Sequence, residues 1–356
     1  MSKNVAATPT KSSLRELLTS IPKTEIHLHI EGLVSVESIW ALMKKHKLDL
    51  GIKSKAELQK RFQIKSLNEF IDLFINIVQA VFVEEGDLEY LISDAEHYLS
   101  RNNIRYAEIF FAPTKLIRNG LRFEALMETL DKGAKYLRTQ GYEIRYIVDV
   151  SRGFGLDNAM RNLELTAANR TENVIGLGLG GAEQTGPARE YAPVFERARK
   201  EGFHMVAHAG EDVGPHSVWD TIDILKAERI GHGTSAILDQ RLMHALRDRQ
   251  VPLEICPTSN LFTRKYAQSL EQHPIRAFYD FGMYVTVNTD DPTLFGVDLV
   301  DEYANLVEAG VFTLDEIIEL IKNGIYATFM PQDQQDALWE QVQAEINKSS
   351  LVNNAR

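Results

Sequence analysis

Val285-Thr286-Val287-Asn288-Thr289-Asp290-Asp291-Pro292 decides how the rest of this chain is read. Three β-favouring residues lead straight into two adjacent acids and a proline, as in a strand that delivers carboxylates to the C-terminal mouth of a parallel barrel. Alone, an Asp-Asp-Pro run reads as a polar turn that stops a strand. Three other stretches change that reading. His27-Leu28-His29, His208-Ala209-Gly210-Glu211 and Gly231-His232-Gly233 each follow an apolar run in the same way. Histidines and acids at the ends of several strands imply a hydrolase site built around one metal ion.

Working outward, apolar runs predict strands at 24–29, 105–111, 143–150, 174–179, 204–208, 229–231, 251–255 and 283–288. Helical periodicity fills the gaps at 122–139, 155–169, 188–201, 217–225, 239–248 and 274–281, with three more helices at 298–309, 313–326 and 331–346. The alternation predicts an α/β fold, a TIM (β/α)8 barrel with extra C-terminal helices. Between the first two strands, helical patterns at 36–47, 55–62, 67–81 and 85–101 predict a long insertion. It is placed to roof the barrel mouth, with Phe70, Phe74 and Phe82 as an apolar lid or as plain helix core. Residues 1–13 read as a flexible tail before a short helix at 14–19, and 14–350 as a single barrel domain without repeats or linkers.

The 356 residues suit such a barrel with insertions, and 44% hydrophobic with 25% charged residues is ordinary for a globular chain. A formal charge of -11 without a basic cluster argues against a nucleic-acid partner. No signal-like core and no apolar run long enough to span a bilayer is present, so no membrane partner is expected. The sole cysteine, Cys256, excludes an intrachain disulfide framework and points to a reducing, cytoplasmic setting. Oligomeric state is not legible.

Alternation along a strand sends His27 and His29 to one face, as two ligands of one ion require. With His208 and Asp290 they offer three nitrogens and one oxygen, a set that suits catalytic zinc. Two-metal barrels of this type commonly use a strand-four lysine as a bridge. Here that strand ends Gly178-Leu179-Gly180-Gly181-Ala182-Glu183, so one metal per chain is expected. Hydrolysis also needs a base for the water and an acid for the departing group. His232 is a base or orienting group, or a capping histidine in a glycine turn. Glu211 is a substrate-facing acid or a helix-entry acid. Asp291 is expected to point away from Asp290 if the backbone there is extended, free to bond a substrate.

His27-Leu28-His29-Ile30-Glu31-Gly32, His208-Ala209-Gly210-Glu211, Arg229-Ile230-Gly231-His232-Gly233, Cys256-Pro257-Thr258-Ser259-Asn260 and Asn288-Thr289-Asp290-Asp291-Pro292 together resemble the adenosine/adenine deaminase family of amidohydrolases. The motifs run in the family's order from residue 22 to about residue 302. The resemblance implies one Zn2+ held by His27, His29, His208 and Asp290. It implies that activated water attacks C6 of a 6-aminopurine, with Glu211 protonating N1, His232 assisting water deprotonation and ammonia leaving. Asp291 would face N7 and the water, and the Gly181 N–H would meet N3. His29, Glu31, Gly181 and Asp291 make the implied substrate-facing set. The zinc deaminases with an H-x-E and P-C-x-x-C signature are excluded by the single cysteine.

The implied substrate is a small purine nucleoside, adenosine going to inosine and ammonia, with 5'-modified adenosines next and free adenine last. Glu31 stands where adenosine deaminases usually carry Asp for the 5'-hydroxyl, as is common in adenine deaminases. Gly181 fits the nucleoside enzymes better than the Asp-Ser-Ser-Glu run of adenine deaminases, and Ala182 replaces the usual Asp. A Gly-Leu-Gly-Gly-x-Glu stretch is similar to aminodeoxyfutalosine deaminases, and methylthioadenosine is another 5'-modified candidate. Two other classes compete. An amide or phosphoester hydrolase on this barrel predicts a second metal, and an inactive purine-binding barrel predicts a missing ligand or acid.

Overall fold

Runs of branched and aromatic residues form eight parallel strands in the computed structural model, which describes residues 11–64 and 66–349. They are β1 (Lys23–His29), β2 (Ile104–Phe111), β3 (Glu143–Ser151), β4 (Val174–Gly180), β5 (His204–Ala209), β6 (Arg229–His232), β7 (Leu253–Ile255) and β8 (Val285–Val287). Each pairs with the next in sequence order. β1 is buried at every position because one face looks into the barrel and the other onto helices. Phe110, Ile147 and Val206 fill the interior as a small cluster of their own. A second, larger cluster, running from Leu14 to Ile346, lies mainly between strands and helices. Eight strands wrapped by helices make the expected (β/α)8 barrel.

β7 and β8 are shorter than their apolar runs. Side-chain and loop bonds take over where the ladder stops. The Asn288 Oδ1 accepts from the Ile26 and His27 N–H groups at 3.0 and 3.2 Å. Beyond it, the Asp290 N–H donates to His27 at 3.1 Å and His29 donates back to the Asp290 carbonyl at 2.9 Å. Barrel closure therefore runs through the stretch that carries the acids.

The insertion between β1 and β2 is helical, as its pattern predicts. Ser35, Ser54 and Ser66 cap three of its helices, Val36–Lys45, Lys55–Arg61 and Leu67–Leu73, each accepting a backbone N–H three residues on. The helix expected over 67–81 is regular only to Leu73, then widens at Phe74–Val78 and tightens at Gln79–Val81. The first helix covers Lys11–Ser20, three residues more of the chain than the expected tail left to it; residues 1–10 of that tail lie outside the described residues. Short helices that begin at proline, Pro113–Arg118, Pro257–Thr263 and Pro292–Phe295, were not expected from periodicity. All three follow a strand end and bring side chains to the barrel mouth.

Candidate active site

The strand ends converge on one cavity of about 440 Å³ at the C-terminal mouth. His29, Gly181, His208, Glu211, His232, Asp290 and Asp291 all line it. Phe70 and Phe74 line it too, whereas Phe82 is fully buried elsewhere, so the expected lid has two phenylalanines rather than three.

His27 and His29 project from β1 to the same side, with ring centroids 5.7 Å apart. The Asp290 Oδ1 lies 3.6 Å from the His27 Nε2 and 3.3 Å from the His29 Nε2. The His29 and His208 Nε2 atoms are 3.3 Å apart. The far nitrogens are already engaged: the His27 Nδ1 donates to Glu254 at 2.7 Å, and the His208 Nδ1 to the Leu179 carbonyl at 3.2 Å. In the neutral rings this leaves Nε2 lone pairs aimed at Asp290, and the buried His27 Nε2 has no hydrogen-bond partner. A divalent cation that accepts nitrogen and oxygen fits this donor set. Gly231 makes room for the His27 ring, since a Cβ there would sit 2.6 Å from it.

Geometry alone offers a rival ligand. The donor atoms of His27, His208, His232 and Asp290 all lie within 4.8 Å of one another. A chain of hydrogen bonds decides what His232 presents. The Ile275 backbone N–H donates to the His273 Nδ1 at 3.0 Å, so a neutral His273 carries its proton on Nε2. That Nε2 donates to the Asn260 Oδ1 at 3.2 Å, which orients the amide so that its Nδ2 donates to the His232 Nδ1 at 3.0 Å. The neutral His232 ring therefore holds its proton on Nε2, 3.6 Å from Glu211 and 3.9 Å from Asp290. A protonated nitrogen binds no metal. Burial keeps His232 neutral, lowering its pKa to about 3.

Both His232 and Asp290 adopt left-handed backbone, at φ 63° and 71°, a strained conformation that surrounding structure must enforce. The turn at Asp290 corrects the expectation of an extended backbone there. Asp290 and Asp291 do not face opposite ways; both line the cavity. Ser259 donates to the Asp290 Oδ2 at 2.7 Å, while the Asp291 Oδ1 has no partner. Burial opposes charge on Asp290, yet its bonds to His27 and His29 hold it well below the usual carboxylate range. Burial, reinforced by Asp290, Glu183 and Asp212, pushes Glu211 well up, toward the protonated acid.

Glu31 is not at the cavity wall. It is fully buried, and its Oε1 accepts from the Ala112 N–H at 3.0 Å and Gln79 at 3.1 Å; those two residues line the cavity instead. Burial raises its pKa to about 7. Gly181 is at the wall with φ 82°.

Three residues were missed from sequence. Glu254 orients His27. Glu183 accepts from the N–H groups of Gly210, Glu211 and Asp212 at 2.8, 2.7 and 3.1 Å, fixing the loop that presents Glu211. Asp149 lines the cavity with an unpartnered Oδ1, and a Cβ on Gly180 would meet its other oxygen at 2.4 Å. Strand alternation two residues after the interior Ile147 was the available signal for Asp149.

Known proteins resemble this chain along most of its length. The family described as adenosine deaminase matches residues 22–345. The chain is 36% identical over 324 residues to an aminodeoxyfutalosine deaminase of Streptomyces coelicolor, covering 89% of this chain and 82% of that relative. It is 31% identical over 346 residues to an adenosine deaminase of Clostridium kluyveri, covering 96% and 99%. The crystal structure of an adenine deaminase from Arthrobacter aurescens superposes with a TM-score of 0.88 at 28% identity, covering 92% and 99%.

Proposed function

The chain belongs to the adenosine deaminase family, and on that premise we propose that it is a zinc aminohydrolase of a 6-aminopurine nucleoside. It is a metal-dependent hydrolase that removes the amino group of a small aminopurine. Zinc is our assignment from the nitrogen-rich donor set, with His27, His29, His208 and Asp290 as its ligands. Bound there, it would lower the pKa of an adjacent water toward neutrality.

The chain's own groups supply the rest. Glu211, kept protonated by burial, donates to N1 and makes C6 electrophilic. As water's oxygen bonds to C6, its proton passes to the basic side chains at the mouth and on to the exocyclic amine. The C6–N bond then breaks and ammonia leaves, the remaining hydroxyl proton returns to the Glu211 carboxylate as the C6 carbonyl forms, and N1 keeps its proton. Of the two roles open to His232, its Nε2–H favours orienting the water over deprotonating it. Asp291, which burial pushes up toward the protonated acid, donates to the substrate's N7, and the Gly181 N–H serves N3. His29 doubles as ligand and wall, while Glu31 acts through Gln79 and Ala112.

The observation that carries this assignment is a partly buried, neutral-leaning acid, Glu211, sharing one cavity with a three-histidine, one-aspartate cluster. The 36% identical relative named for aminodeoxyfutalosine favours a second reading, a 5'-modified nucleoside. Ammonia release from adenine, adenosine, methylthioadenosine and aminodeoxyfutalosine by the zinc-loaded protein ranks the candidates; none reacting would sink the purine assignment. No helix among the described residues is long and apolar enough to cross a membrane. We place the enzyme in the cytoplasm, where its single buried cysteine stays reduced.

A further inference from the structure

One carboxylate at the cavity wall has no bonding partner. Asp149, on β3, is 4% exposed and lines the same space as the histidines and Glu211. Neither of its oxygens has a hydrogen bond or ion pair with any described residue. Arg152, the buried cation nearest in the chain, gives its N–H groups to the carbonyls of Leu179, Gly181, Gly186 and His208 instead. Two glycines of β4 locate the carboxylate: a Cβ at Gly178 would sit 2.7 Å from its Oδ1, and one at Gly180 would sit 2.4 Å from its Oδ2. Gly178 pairs with Asp149 across the ladder, and Gly180 pairs with Ser151, one pleat nearer the mouth. The side chain therefore leans toward the mouth, with Oδ2 beside the turn at Gly181. Burial raises its pKa to about 6, so near neutral pH it is chiefly an acceptor. A buried carboxylate without a donor is costly unless something that enters the cavity supplies one.

Barrel order says which part of a substrate would do so. Glu211 follows β5 and Asp291 follows β8, so N1, C6 and N7 face that half of the mouth. Gly181, for N3, follows β4. The arc left for N9 and its sugar runs from β3 to β1. Glu31, after β1, is withdrawn behind Gln79 and the Ala112 N–H. Among the described residues, Asp149 is then the one acid on that arc that lines the cavity. Because β3 adjoins β4, it meets the sugar from the N3 side. In an anti nucleoside the 2'-hydroxyl is the sugar hydroxyl nearest N3, whereas the 5' carbon lies toward C8.

We propose that Asp149 accepts a hydrogen bond from the 2'-hydroxyl of the substrate's sugar and makes the enzyme selective for ribonucleosides over 2'-deoxyribonucleosides. This rests on the deaminase reading and extends it to the sugar. A site built to bond a substrate hydroxyl rejects the analogue that lacks it, because the buried acceptor is then left unpaired.

The test compares kcat/KM for ammonia release from two matched pairs, adenosine and methylthioadenosine each against its 2'-deoxy form, with 3'-deoxyadenosine as control. Wild type, Asp149→Ala and Asp149→Asn are measured side by side at equal metal occupancy. Wild type should favour the ribose member of whichever pair it turns over by about tenfold or more. Asp149→Ala should bring that ratio close to one and leave the ratio of adenosine to 3'-deoxyadenosine in place. Asp149→Asn fills the same space and keeps an acceptor oxygen without the charge; it should lower the ratio by a smaller factor, about several-fold, and decides the matter if the alanine variant does not fold. A wild-type ratio near one, or an unchanged ratio in the folded variants, overturns the role of Asp149 and leaves the deaminase assignment standing. No ammonia from any of the five, with metal bound, overturns the assignment on which it rests.

Discussion

Glu211 and His232 face each other across 3.6 Å, and each is defined by a proton that its neighbours dictate. Glu211 is held toward the acid form by burial and by the acids around it. A Glu211→Gln variant keeps the shape but cannot release a proton to N1, so kcat should fall roughly 10²–10⁴-fold with metal content unchanged. Near-normal turnover would remove Glu211 from that role. His232 is fixed through Asn260, whose orientation His273 sets. Asn260→Asp is nearly isosteric, but its carboxylate accepts where the amide donates. It should force the proton of His232 onto Nδ1 and turn Nε2 into an acceptor. A wrong tautomer of this kind costs a catalytic triad about 10⁴-fold, and here kcat should drop by about 10²-fold or more. An unaltered rate at unaltered metal occupancy would disconnect the tautomer from turnover.

Between elements, the informative contact is Glu183 after β4 reaching the loop after β5. Its carboxylate takes three consecutive N–H groups and the Ser217 hydroxyl. Glu183→Ala strands these buried donors, at about 1–3 kcal/mol for each one left unsatisfied. With water reaching two of the four, urea unfolding should show a loss of about 2–6 kcal/mol, and the residual folded enzyme should have reduced kcat because Glu211 is no longer held in place. Full stability would mean that water replaces the carboxylate. This contact shows the limit of the sequence. His27, His29, His208 and Asp290 were legible because each ends an apolar run, and strand ends of a barrel share one mouth. Glu183 also ends such a run, yet its partners are backbone groups on another strand's loop, which no residue pattern encodes. Glu31 was misplaced for a related reason: adjacency to the His pair fixed its position in the chain but not that Gln79 and Ala112 would enclose it. Helices at Pro113, Pro257 and Pro292 have too few turns to show a period. Strand closure through the Asn288 side chain carried no apolar signal at all.

Across the whole barrel, the base and the mouth are joined by one carboxylate. Arg229, fully buried on β6, bonds Glu108 of β2 at 2.5 Å, Glu254 of β7 at 2.6 Å and the Ala327 carbonyl at 2.9 Å. Phe329 stacks on its guanidinium at 3.8 Å, so the segment before the last helix seals the base. The second oxygen of Glu254 is the acceptor for His27. One acid thus neutralises a structural cation and sets the direction of His27, a proposed metal ligand. Glu254→Gln keeps one acceptor oxygen, for Arg229, and turns its amide NH2 toward His27, removing the acceptor and the charge that would make His27 a stronger donor to metal. Such outer partners are worth about 10–100-fold in metal affinity, so the zinc dissociation constant should rise by that amount. A stability consequence follows from mass action, because a ligand bound only by the folded chain contributes about 2.7 kcal/mol when present at a hundred times its Kd. At one fixed free zinc concentration, about a hundred times the wild-type Kd, the variant should therefore melt earlier than wild type. With a chelator present the gap between them should narrow, since only wild type then loses a large bound-metal contribution. A gap that persists undiminished in chelator would place the role of Glu254 with Arg229 in the barrel base rather than with the metal at its mouth.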